Sequence, residues 1–134
     1  MPSPAEFFVA WAASQSDLTA LIGSRISPWE SDRRDDVPRV TYFLVSGDRV
    51  NTLAGPTKLA VQRWQLDCWG SSQKNAAAVA RLFTGASGDS RLDGYRGTLA
   101  GITIQNCRLT DERDNSEIDS PCVSLDFEIS WNTV

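Results

Sequence analysis

The clearest periodicity lies near the end of the chain, where Val123, Leu125, Phe127, Ile129 and Trp131 alternate with Ser124, Asp126, Glu128 and Ser130. Side chains of a strand point to opposite faces in turn, so this spacing predicts a strand with one buried and one wet side. The same period runs through 59–69, where Trp64, Leu66 and Cys68 alternate with Arg63, Gln65 and Asp67. Val40-Thr41-Tyr42-Phe43-Leu44-Val45 is β-branched and aromatic and reads as a strand ending at Ser46-Gly47-Asp48. Ile102-Thr103-Ile104 opens another strand, reaching Leu109. Its apolar phase changes between Ile104 and Cys107, which predicts a β-bulge.

Two regions carry the helical period instead. Ser3-Pro4-Ala5-Glu6 is a capping box with proline at the first helical position. Phe7 and Trp11 follow on one face, with Phe8 beside them. Ser14-Gln15-Ser16-Asp17 interrupts that pattern and offers a second cap before Leu18, Leu21 and Ile22, and Gly23 closes the stripe. Two short helices, or one kinked helix, are expected up to Gly23. A further helix is expected from 71–75 through Phe83, with Ala76, Val79, Ala80 and Phe83 on one face.

The polar stretches 30–37, 46–58, 84–100 and 110–120 then read as connections, with a short hairpin around Gly94 to Gly97. The expected fold class is α+β, in the order α-α-β-β-α-β-β. The expected sheet is mainly antiparallel, four-stranded or slightly larger, with helices packed on one face. Residues 1–134 are expected to form a single domain, since a chain of 134 residues can bury roughly 68% of its unfolded surface.

Composition narrows function more than fold. Histidine is absent, which removes His-assisted nucleophilic catalysis and His-ligated zinc. The net charge of −4 is spread among interspersed acids and bases, unlike the clustered cations that grip nucleic acid. Met1-Pro2-Ser3-Pro4 lacks the basic region of a secretory signal, and no apolar run is long enough to span a bilayer, so a soluble, non-exported protein is expected. Cys68, Cys107 and Cys122 are widely spaced and odd in number, and read as buried reduced thiols.

Candidate chemistry is sparse. Gly85-Ala86-Ser87-Gly88 and Gly94-Tyr95-Arg96-Gly97 match neither a P-loop nor a dinucleotide fingerprint and read as turns. The acids of 111–119 lack the glycine and closing glutamate of a calcium loop. Asp126 and Glu128, two residues apart on a wet strand face, could suit paired acid–base work, but an alternating polar face explains them with no catalysis and is the reading preferred. No cofactor and no metal is expected. The mixed-charge run Glu30-Ser31-Asp32-Arg33-Arg34-Asp35-Asp36 can pair with a copy of itself, and Trp29, Trp69 and Trp131 sit where aromatics anchor interfaces.

The order of the segments carries a resemblance. Leu18-Thr19-Ala20-Leu21-Ile22-Gly23-Ser24-Arg25-Ile26-Ser27-Pro28 precedes Val37-Pro38-Arg39-Val40-Thr41-Tyr42. Then come the strand 61–70 with a helix behind it, the stretch 99–109 and the closing strand 123–131. In order, spacing and length the chain resembles the tail-completion, or tail-terminator, proteins of long-tailed phages, prophages and phage-like gene-transfer particles.

The resemblance implies a structural virion protein and not an enzyme. It would form a homo-oligomeric ring, commonly a hexamer, at the head-proximal end of the tail tube, ending tube growth and joining tail to head. The implied partners are further copies of itself, the tail tube protein and a head–tail connector protein. DNA would pass through the lumen without specific binding, and no membrane is involved. The implied place is the tail or neck of the virion, after assembly in the host bacterial cytoplasm. Alternatives are another neck protein, such as a head-closure or adaptor subunit, or a small α+β ligand-binding or carboxylate enzyme domain. Candidate contact residues are Trp29, Arg33, Arg34, Asp35, Asp36, Asp48, Arg49, Asp111, Glu112, Arg113 and Trp131.

Overall fold

The computed structural model describes residues 3–28, 37–52, 55–85, 92–114 and 121–133, with side chains left aside at 48–52, 55–58 and 133. Helix α1 spans Pro4–Ala13, and the capping box expected at its start is present, Ser3 and Glu6 each bonding the other's backbone. Hydrogen bonds from the Ser3 backbone, then from its side chain, hold the Glu6 carboxyl below its ordinary range. Helix α2 follows at Ser16–Ile22 and stops at Gly23, so the chain makes two helices here and not one kinked helix. Phe7, Phe8, Trp11, Leu18 and Ile22 are all buried.

Strands β1 (Ile26–Pro28), β2 (Arg39–Thr52) and β3 (Gly55–Trp69) come next, then helix α3 (Gln73–Thr84) and strands β4 (Gly97–Leu99), β5 (Ile102–Asp114) and β6 (Cys122–Thr133). The order across the sheet is β1-β2-β3-β6-β5-β4. All neighbours are antiparallel except β1, which runs parallel to β2.

This overturns the expected mainly antiparallel four-stranded sheet with helices packed on one face. Among the described residues the sheet has six strands, is mixed, and curls into a half-barrel with three helices. The reasons are local. Strands β1 and β4 are three residues each, too short to show a period. Residues 46–58 are not a loop, because β2 and β3 stay paired out to Thr52 and Gly55. Register shifts between Leu44 and Ser46 and between Arg49 and Asn51 spoil the alternation there, and such bulges bend and twist a strand. Strand β5 likewise continues to Asp114, through residues whose polarity suggested a connection. The bulge expected between Ile104 and Cys107 is found, as a register shift between Ile104 and Asn106.

One core sits on the helix side of the sheet. Tyr42, Trp64, Leu66, Cys68, Ile102, Ile104, Cys107, Val123, Leu125, Phe127 and Ile129 are buried there with the helices. Its centre is aromatic: the Phe8 ring lies 5.5 Å from Trp64 and 6.1 Å from Tyr42, and Trp11 lies 5.4 Å from Phe83. Ser72 caps α3 by accepting from the Asn75 backbone, and Gly85 ends the helix in the left-handed region at φ 84°. Ala76, Val79, Ala80 and Phe83 are buried, as their spacing predicts.

Candidate functional site

The other side of the sheet is polar, and the register sets its side chains in rows. Thr41, Asp67, Ser124 and Arg113 form one row across β2, β3, β6 and β5. Phe43, Gln65, Asp126 and Asp111 form the next, and Ser46, Arg63, Glu128 and Arg108 the one after. The upper row is more enclosed than its polarity suggests, since Thr41, Asp67 and Ser124 are buried. Asp67 Oδ1 accepts from Ser124 Oγ at 2.6 Å and from Gln65 Nε2 at 2.8 Å, while Trp69 Nε1 donates to Thr41 Oγ1 at 3.0 Å. Burial of such groups is tolerable only because they bond to one another.

Arg113 ties the rows together. Its guanidinium donates to Asp111 Oδ2 at 2.7 Å, Asp126 Oδ2 at 3.1 Å and Gln65 Oε1 at 2.9 Å. Burial works against its charge, but the hydrogen bonds and charges of Asp111 and Asp126 outweigh it and raise its pKa. Asp126 Oδ1 is buried without a hydrogen-bond partner among the described residues. Glu128 meets Arg108 at 3.3 Å. Asp126 and Glu128 therefore each face their own arginine rather than each other, which is not the arrangement of a catalytic dyad. Among the described side chains of the sheet on this face, Arg39, Arg63, Arg108 and Arg113 are equalled in number by Asp67, Asp111, Asp126 and Glu128. Such a balanced surface offers no continuous cationic track to a phosphate backbone.

Among the candidate contact residues, Trp29, Arg33, Arg34, Asp35 and Asp36 lie outside the described residues. Asp48 and Arg49 fall on β2 where it pairs with β3, and Asp111, Glu112 and Arg113 on the end of β5. The structure thus brings Asp111 and Arg113 together. Trp131 is half-buried, and its Nε1 donates to Gln62 Oε1 at 2.9 Å, the same oxygen that accepts from Trp64 Nε1. Gln62 was invisible as a structural residue in the sequence, because nothing in the alternation marks it as a clamp for two indoles. The buried Asp67–Ser124 bond was equally hidden. An open groove of about 350 Å³ also runs beside α1, lined by Ala5, Glu6, Val9, Ala10, Ala13 and Tyr42.

The three cysteines are free and buried. Burial pushes the Cys107 thiol up to about 12, aided by Asp93. It raises Cys68 well above its ordinary value, helped by Cys122, Asp67 and Glu112. Thiolate is the reactive form. The native protein at pH 8 is therefore expected to label with a thiol reagent at least about tenfold more slowly than the unfolded chain. A thiol that labels at the unfolded rate would show that the sheet opens around it.

The comparison that decides the family is one of sequence. The pattern of the family described as tail completion protein gp17 matches residues 8–132. The chain belongs to that family. Tail completion proteins are structural components of phage tails. No curated protein sequence matches the chain. Among solved structures, the fold is similar to a chain in the virion of a native gene transfer agent particle, at 17% identity and a TM-score of 0.64. That likeness covers 91% of this chain and 89% of the other. In this tail-completion chain no described helix is long and apolar enough to cross a membrane. Its described residues also hold no cluster of three or more acids, histidines or cysteines suited to a metal ion.

Proposed function

We propose that the chain assembles into a homo-oligomeric ring, a hexamer, at the head-proximal end of a tail tube, where it ends tube growth and joins tail to head. The family match over 8–132 carries this reading. The similar chain supports it, because that chain comes from the virion of a gene transfer agent particle. The tail tube protein and a head–tail connector are the partners, and DNA crosses the lumen without specific contacts. The balanced charge of the sheet's polar face suits such passage, since it lacks a cationic track that would hold phosphates. Asp48, Arg49, Asp111 and Glu112 serve as contact residues with the charged run 30–36. Arg113 and Trp131 are engaged within the subunit and shape the surface from beneath.

Deleting the gene in a producing strain tests this. Electron micrographs are expected to show tails of irregular length and heads without tails. Tails of normal length left unjoined would move the protein to another neck position. Normal joined particles would overturn the reading altogether.

A further inference from the structure

Both outer edges of the curled sheet are half covered, and the open halves lie at opposite ends. On one edge, β1 pairs with β2 only at Val40, Thr41 and Tyr42. Beyond Phe43, among the described residues, no strand lies on the outer side of β2. On the other edge, β4 covers β5 only from Ile102 to Ile104. The next residues are met by the turn before β4: Gly94 N donates to Cys107 O at 2.7 Å, Arg96 Nε to Gln105 O at 3.0 Å, and Leu109 N to Asp93 Oδ1 at 2.9 Å. Among the described residues, no strand covers 110–114. The register places 111–114 level with 40–43, so one open half sits high on its edge and the other low.

Exposed strand edges are usually blunted by charge, proline or a cover, because bare N–H and C=O groups recruit other strands. The open part of β2 has the opposite character. Leu44 and Val45 are each 46% exposed, and they are two of only three large apolar residues exposed among the described residues. Among the described residues, no strand or helix lies over them.

Strand directions make the two edges complementary. Passing from β2 through β3 and β6 to β5 takes three antiparallel steps, so β5 runs opposite to β2. Copies placed side by side in one orientation would bring β5 of each against β2 of the next in antiparallel pairing, the polar faces all on one side. Because the open halves are offset, neighbours would slip by a few residues, which in a closed ring means strands tilted to the axis. Asp111, Glu112 and Asp114 against Arg113 leave the β5 end at −2, so two such ends repel each other, whereas the exposed Leu44 and Val45 of β2 carry no charge against it.

We propose that neighbouring copies of this chain join edge to edge, with residues 110–114 of β5 in one copy adding antiparallel to residues 44–49 of β2 in the next. The occupant of each open edge is a second copy, and the interface is heterologous, so it propagates from copy to copy and closes into a ring when the rotation between neighbours divides a full turn. This rests on the self-association proposed above and supplies its contact.

The test uses the full chain carrying Val45→Cys or Glu112→Cys, both at exposed positions, with the native cysteines buried. Paired strands hold such thiols close enough to bridge, and a short thiol–thiol linker allows for small register differences. Mixing the two single variants is expected to give at least about tenfold more covalent dimer than either alone, because pairing raises local thiol concentration toward the mM range. A chain with both substitutions is expected to give a ladder that stops at the ring size. A hexamer in native mass spectrometry without cross-linking would overturn the edge pairing and leave the ring standing. A strict monomer would overturn both. Dimers as abundant from one single variant alone would also overturn the proposal, because they report a two-fold contact.

Discussion

Replacing Phe8 by alanine is expected to destabilise the subunit by about 3–5 kcal/mol, the range for deleting a buried aromatic side chain. Phe8 is 0% exposed, and its ring packs against Phe7 at 5.8 Å, Trp64 at 5.5 Å and Tyr42 at 6.1 Å. It is the residue through which α1 grips β2 and β3. These neighbours are themselves large and held on strands or a helix, so the space left behind would collapse poorly. Against a total stability of about 5–15 kcal/mol for an ordinary domain, such a loss removes a large share. The melting temperature should fall by about 10–20 °C. Thermal unfolding followed by far-ultraviolet circular dichroism would read this directly. A fall of only a few degrees would mean that α1 contributes little to the core.

Phe8 also shows what was legible in the sequence. The apolar face of α1, the capping box of Ser3 and Glu6, the face of α3 and the strict alternation of β6 are local patterns, and each appears in the structure where its spacing put it. The change of phase near Ile104 was readable for the same reason. Alternation reveals which side a residue faces but not whether that side is covered. Asp67 and Ser124 therefore read as wet, and the fold buries them against each other.

The number of strands was not legible, for two opposite reasons. Strands β1 and β4 are made by tertiary pairing of three residues each, below the length at which a period exists. The hairpin ends of β2 and β3 contain Gly47, Gly55 and Pro56, residues that usually mark loops, yet Asn51 pairs with Pro56 and Thr52 with Gly55. The run Thr110-Asp111-Glu112-Arg113-Asp114 lacks apolar residues altogether. It is a strand because β6 pairs with it and Arg113 finds Asp126 and Gln65 across the sheet. Asp111, Glu112 and Arg113 thus lie on a strand and not in the connection that their polarity predicts.

Gly70→Ala is the second substitution expected to be severe, and its reason is space. Gly70 is buried at the corner where β3 turns into α3, and its N–H donates to Pro121 O at 3.1 Å. A methyl group there would sit 2.5 Å from Ala76 N, 2.8 Å from Asn75 Oδ1 and 3.0 Å from Ala76 Cα. Two of those atoms are backbone in the first turn of a capped helix, so relief requires α3 to move. Overpacking costs about 1–3 kcal/mol when side chains can adjust, and the upper end is expected here. Gly94→Ala is the matching control. Nothing lies within 4 Å of its added carbon, but its φ of +87° carries a backbone cost of about 1–2 kcal/mol. Urea unfolding of both variants separates crowding from conformation, and Gly70→Ala should be the less stable. The same shift bears on assembly, because Gln73 in the first turn of α3 donates to Asp114 Oδ1 at 2.8 Å, at the open end of β5. Gly70→Ala should thus lower the fraction of chains in rings under conditions where the subunit remains folded, and Gly94→Ala should lower it less. Equal ring fractions at equal folded fractions would show that α3 does not set the position of that edge.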